Sequence, residues 1–314
     1  MILRYFIKRL LYFFPIILMV SLLVFIMIRL IPGDPARTIA GIMASEEDVE
    51  RIRIQLGLKE PIHIQFIKWF SNILRGDLGI SIRTNRPVAL EIFSRLPNTM
   101  ELTIVGLFIA IIIGIPIGIF AAIKRGKLSD TLLSISALSG VSIPVFWMGL
   151  VLIYIFSLSF GILPVGERGG PLWTIEGLSH IILPSITIAA PSAGVFARIT
   201  RSSMIEVLEQ EYIRTAKAKG LKMNIIIFRH CIRNVLVQLV TIIGMQFGFL
   251  LGGAIVTETV FAWPGIGRLL VDAIISRDYP LVQGIILIYS ILFVSINLFI
   301  DLLYGIIDPR IRYE

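Results

Sequence analysis

Uncharged apolar runs alternate with short polar, mostly basic segments along this chain, and the lengths of the runs set the expected elements. Leu10 to Ile28, Leu102 to Ile123, Gly177 to Ala197, Asn234 to Thr257 and Leu281 to Ile300 contain no Asp, Glu, Lys or Arg. A bilayer core takes about 20 helical residues, so each run predicts one membrane span. Thr131 to Gly166 is also uncharged but too long for one straight helix. Pro144 inside it, with Gly161 and Pro164 near its end, predicts one kinked helix followed by a loop. The pattern is all-α, with about six spans. The first run follows Arg4, Lys8 and Arg9, as a secretory signal would, but it is too long for a signal core and lacks a small-residue cleavage site. It reads as an uncleaved first span.

Between Arg29 and Asn98 the pattern changes. Ser45-Glu46-Glu47-Asp48 has capping-box spacing, and a helix from there is expected to stop at Gly57. Pro61 to Leu74 is a second amphipathic stretch, closed by Gly76. Both are too short and polar to span, so this segment predicts a small external subdomain, with Asn98 capping the second span. The expected boundaries are 1–31 for the first span, 32–98 for the subdomain and 99–314 for a core of five spans, with a long inner loop at 202–234.

Composition rules out a soluble reading. Of the 314 residues 56% are hydrophobic and only 16% charged, against roughly 25% charged in soluble domains. A net charge of +8 would suggest nucleic acid in a soluble protein. Here the bases flank the apolar runs and act as topology signals. Lys124, Arg125 and Lys127 share a side with the basic N-terminus, the Arg198–Arg233 bases and Arg310 and Arg312. The short loops on the other side hold only Arg168, Arg268 and Arg277. Both termini are therefore expected inside.

Missing chemistry narrows the function. The only Gly-Lys pair, Gly126-Lys127, is followed by Leu128, so no P-loop is present. His63, His180 and His230 lie on different segments without an i, i+4 partner, which favours structural roles over metal ligation. The single Cys231 excludes a disulfide scaffold. No Gly-x-Ser-x-Gly or His-Glu-x-x-His motif appears. Glu101 reads as a cap at its helix mouth, and Glu258 and Asp301 as solvated groups near span ends.

The inner loop carries more signal. Ser203-Met204-Ile205-Glu206 has capping-box spacing, which predicts a helix starting at Met204. Glu206, Glu209 and Glu211 come early and Arg214, Lys217 and Lys219 late, as the helix dipole favours. Ile205, Leu208, Tyr212 and Ala216 form one apolar face, Gly220 is the expected stop, and Asn224 can cap a following helix. Such a helix suits either a docked protein partner or an anionic lipid surface. In the fifth span Gly244, Gly248 and Gly252 recur every four residues, a face that admits close helix packing beside a neighbouring span or a partner. Gln246, on another face, is a candidate for lining a path.

Glu211-Tyr212-Ile213-Arg214-Thr215-Ala216-Lys217-Ala218-Lys219-Gly220 resembles the cytoplasmic loop motif of ABC importer permeases, in the form found in the dipeptide, oligopeptide, glutathione and nickel branch. Further segments are similar to that branch in the same order: Ile31–Ala36, Gly76–Ser81, Thr200–Met204, Thr257–Arg268, Arg277–Pro280 and Asp308–Arg312. Arg214 and Thr215 depart from the wider superfamily as the peptide branch does. Gln238 replaces a usual Pro, so the start of the fifth span is expected to be straighter.

The resemblance implies a type I permease fold with an extracytoplasmic insertion after the first span, in a prokaryotic inner membrane. It implies a chain without catalytic residues or a nucleotide site, forming half of a translocation path for di- or oligopeptides, glutathione or nickel. The implied partners are a homologous permease, two cytosolic ATPase subunits that bind ATP and Mg, and an extracytoplasmic binding protein. Glu211, Tyr212, Arg214, Thr215, Ala216, Lys217, Ala218 and Gly220 are then the ATPase-coupling residues, with the small Ala216 and Ala218 letting the helix sit deep in an ATPase groove. A carrier acting alone, or a receptor without transport, shares the spans but offers no account of the ordered motifs.

Overall fold

The computed structural model describes residues 2–30, 35–40, 44–55 and 57–307. Every apolar run is helical: α1 (Ile2–Leu30), α5 (Val88–Ile123), α8 (Ile175–Leu208), α11 (Ile232–Val260) and α13 (Tyr279–Ile307). Four of them, α5, α8, and the stretches Gln238–Val260 of α11 and Tyr279–Ile300 of α13, are long and apolar enough to cross a membrane, and α1 carries the apolar stretch Phe14–Met27. The long uncharged run is broken more sharply than a kink. α6 (Leu128–Ser142) and α7 (Val145–Leu152), the latter continued by a π-helical Ile153–Ser159, meet at a bend of 105°. Pro144 has no N–H for the carbonyl of Gly140, and it pushes the preceding Ile143 into an extended conformation, ψ 127°. The shorter helices are α2 (Pro35–Ala40), α3 (Glu46–Gln55), α4 (Ile62–Leu74), α9 (Glu211–Ala218), α10 (Met223–Ile225) and α12 (Ile266–Ile275).

The chain divides into two units. One comprises Leu3–Pro97 and Gly265–Ser295. Here Ser45 does cap α3: its Oγ accepts from the Asp48 N–H at 3.2 Å and donates to Asp48 Oδ2 at 2.6 Å. α4 lies on α1 through aromatic contacts, Phe25 to Phe66 at 5.2 Å and Phe25 to Trp69 at 5.5 Å between ring centroids. Arg29 Nη2 donates to Gln65 Oε1 at 2.7 Å beside them. Val88 and Ile92 at the start of α5 are fully buried with Ile266, Leu269 and Ile285. This burial explains why α5 begins ten residues before the expected cap. Asn98 lies inside the helix and caps nothing. The motif residues 31–34 and 308–312 lie outside the described residues.

The other unit, Asn98–Pro264 with Ile296 onward, is built around α8. α5 presents Gly106, Gly114 and Gly118 to it. A Cβ at Gly114 would sit 2.4 Å from the Ala193 carbonyl oxygen, and one at Gly118 2.5 Å from that of Ala197. α6 crosses the same helix as closely, with a Cβ at Gly194 2.3 Å from the Ala137 oxygen and one at Gly140 2.8 Å from the Ala190 oxygen. Among backbones this close, small residues replace side-chain interdigitation. Asn98 and the turn after α11 bond reciprocally: Trp263 Nε1 donates to the Asn98 carbonyl at 2.9 Å, and Asn98 Nδ2 to that of Pro264 at 2.8 Å. Two further expectations are corrected. Glu101 lies well inside α5 and accepts from Arg168 Nε at 2.9 Å. Glu258 is fully buried rather than solvated, accepting from Thr99 Oγ1 at 2.5 Å.

Candidate functional site

The predicted loop helix does not start at Met204. α8 continues through it to Leu208, because a helix already propagating from the apolar run needs no new nucleus. Ser203 therefore caps nothing, and its hydroxyl donates to Gln238 Oε1 on α11. The chain turns at Glu209 and Gln210, and α9 then covers Glu211–Ala218. Its end is a Schellman arrangement: Leu221 N–H donates to the Ala216 carbonyl at 3.3 Å and Gly220 N–H to that of Lys217 at 3.0 Å. Gly220 stands at φ +77° with open space around it, so conformation alone demands a glycine there. Asn224 is not a cap either. It lies within α10, whose flanking residue is Lys222, and α10 passes through a π-helical Ile226–Cys231 into α11. α11 runs unbroken through Gln238, as the missing Pro allows.

α9 is amphipathic, but its small residue serves the fold. Ile213 is fully buried and Ala216 is 8% exposed, packed with Met204, Ile226, Ile227 and Cys231. Ala216 thus faces its own chain and is not the exposed knob that its size suggested. The outward face carries Glu211, Arg214, Thr215, Lys217, Ala218 and Gly220. Tyr212 is half-exposed and its hydroxyl accepts from Asn234 Nδ2 at 2.7 Å, tying α9 to α11. Arg214 Nη1 donates to Glu211 at 3.2 Å, an exposed pair worth about 0–1 kcal/mol. Burial pushes the Cys231 thiol up, and the Lys217 charge offsets part of that.

Pairings that the sequence did not reveal hold the loop to the core. Arg201 bonds Asp130 through two parallel contacts, Nε–Oδ1 and Nη2–Oδ2, both 2.7 Å. Gly126 N–H also donates to that carboxylate at 3.1 Å. Arg125 pairs with Glu209 at the start of the loop. The two-point guanidinium contact fixes orientation as well as distance. The end of α8, the Lys124–Lys127 turn and the loop are thereby one structure. Of the fifth-span stripe, Gly244 packs on α13, where a Cβ would lie 2.4 Å from Ile300 Cγ1. Gly248 is buried, Gln246 is half-buried, and Gly252 faces open space.

The family description "binding-protein-dependent transport system inner membrane component" matches residues 114–313, and its N-terminal counterpart matches residues 2–103. The glutathione transport system permease protein GsiC of Escherichia coli strain K12 is 47% identical over 312 residues, covering 99% of this chain and all of that protein. The same protein of Salmonella paratyphi A is 46% identical over the same span. In fold, the chain is similar to the inward-facing MetNI methionine ABC transporter, with a TM-score of 0.58 at 16% identity, covering 69% of this chain and 95% of that one. A second crystal form gives 0.53 at 18% identity. With the loop geometry and the helical core, these similarities show that the chain belongs to the binding-protein-dependent ABC importer permeases of the inner membrane, in the peptide and glutathione branch.

Proposed function

We propose that this permease pairs with a homologous permease and forms half of the translocation path for short peptides, glutathione foremost among them. The observation that carries the substrate reading is the similarity to glutathione permease proteins along the whole of both chains. Glutathione is itself a small peptide, so it lies within the di- and oligopeptide class expected from the motifs.

In this reading both termini and the α8–α11 loop are cytoplasmic, and the segment between α1 and α5 is extracytoplasmic. ATP and Mg belong to the two ATPase subunits. These dock on the outward face of α9, with Ala218 and Gly220 giving close approach and Arg214, Lys217 and Lys219 orienting charge. Gly252, with open space around it, suits the partner permease, and Gln246 the path. The test is the reconstituted complex with its binding protein, scored for ATPase stimulation and uptake with glutathione, a dipeptide and oligopeptide panel, and nickel. Stimulation and uptake with glutathione are expected. Stimulation by nickel alone overturns the peptide assignment, and uptake without ATP overturns the importer assignment.

A further inference from the structure

A turn between α4 and α5 is held by an unusually complete set of bonds around one carboxylate. Asp278, 1% exposed just before α13, accepts from Ser81 Oγ at 2.5 Å, from the Ile82 and Arg83 N–H groups at 3.2 Å each, and from the Leu281 N–H at 3.3 Å. Ser81 Oγ also accepts from the Thr84 N–H at 3.1 Å. The Ser81 N–H donates to the Arg86 carbonyl at 2.9 Å, and the Asn85 N–H to that of Ser81 at 3.0 Å. Asn85 occupies the left-handed region at φ +55°, which Asn tolerates better than most residues. Burying a carboxylate without such donors is costly. Two of the shared sequence motifs, Gly76–Ser81 and Arg277–Pro280, are thus the two halves of this one clamp.

What the clamp presents is cationic. Residues 83–87 are all exposed, and the Arg83 and Arg86 guanidinium groups have no partner among the described residues. An ordered turn that carries two uncommitted arginines is pre-organised for a charged partner, since little ordering remains to oppose binding. Arginine is also enriched at protein interfaces. At the tip Arg83, Thr84, Asn85 and Arg86 offer no apolar side chain to enter lipid, the exposed Ile80 and Pro87 lying at its base, so the tip itself fits a protein surface.

We propose that Arg83 and Arg86 form a docking point for an acidic patch on the extracytoplasmic binding protein. The proposal rests on the importer reading above, which puts this turn on the binding protein's side of the membrane. Such a contact acts mainly on encounter and is salt-dependent.

The test uses the complete complex in nanodiscs of zwitterionic lipid, with the binding protein that stimulates the wild type as probe. The double variant Arg83→Glu/Arg86→Glu is expected to raise the binding-protein concentration for half-maximal ATPase activity about tenfold at low salt. The maximal rate should not change, and the difference should shrink at high salt. An unchanged half-maximal concentration overturns the proposal. So does a difference that appears only when anionic lipid is added, because the arginines then contact the membrane. A wild-type complex that ignores every binding protein overturns the importer reading itself, and the docking point with it.

Discussion

Replacing Gly114 with Ala probes the α5–α8 contact with one methyl group. That methyl would lie 2.4 Å from the Ala193 oxygen, 2.8 Å from Phe196 Cβ and 3.0 Å from Ala193 Cα, where ordinary contact starts near 3.4 Å. Two of these three atoms are backbone and the third is a Cβ, so no side-chain rotation relieves the clash. The helices must part by about 1 Å, and a gap of that size forfeits up to about half of each atom pair's attraction of about 0.1–0.2 kcal/mol. Over about 40 pairs at the crossing the loss is about 3 kcal/mol, at the upper end of the roughly 1–3 kcal/mol seen for overpacked cores. The melting temperature of the purified permease in detergent should fall by roughly 5–10 °C. Gly252→Ala is the control: nothing lies within 4 Å of the new methyl, so stability should stay within about 0.5 kcal/mol. Equal melting temperatures for wild type and Gly114→Ala refute the close approach.

Three other outcomes are expected. Ala216→Trp should expose the α8–α11 loop to protease, because Ala216 packs inward, whereas Ala218→Trp should leave the loop protected and reduce co-purification of the ATPase. Asp278→Ala leaves four donors without their acceptor and should cost about 2–4 kcal/mol, read as a lower melting temperature and faster proteolysis at residues 81–87. Cys231 is fully buried with a thiol pKa raised by that burial, so at pH 7.5, well below it, the thiolate is scarce; a maleimide should label it only after denaturation.

The apolar runs made the membrane helices legible, because bilayer thickness sets their length and hydrogen bonding forces them to be helical. Their ends were less legible. Ser45 caps a helix and Ser203, with similar spacing, does not, since α8 arrives at Ser203 already formed. The sequence predicts a kink where the structure has a 105° break, because Pro144 announces a lost hydrogen bond but not the direction of the next helix. Spacing revealed the Gly244–Gly252 face, while the close approaches to α8 are made by Gly106, Gly114 and Gly118 of α5 and by the α6 crossing at Gly140 and Gly194. A glycine repeat reports that a face is smooth, not what lies against it. In the loop, Gly220 was readable from conformation alone. Ala216 was not, because a small residue suits an internal contact and an intermolecular one equally well.

The crossing at Gly140 and Gly194 also has a mechanical consequence. α8 extends about 21 Å from Gly194 to Leu208 and about 29 Å from Gly194 to Ile175, at 1.5 Å per residue. Treated as a fulcrum, the crossing divides the helix into unequal arms, and a tilt moves the Ile175 end about 1.4 times as far as the loop end. The two prolines of the helix, Pro184 and Pro191, both fall on the long arm. Each removes a backbone bond and so concentrates compliance there. The short arm, braced by Arg201 and Asp130, is the stiff one. The stretch of α8 between the loop and the crossing is therefore its stiff part, and its compliance lies beyond the crossing.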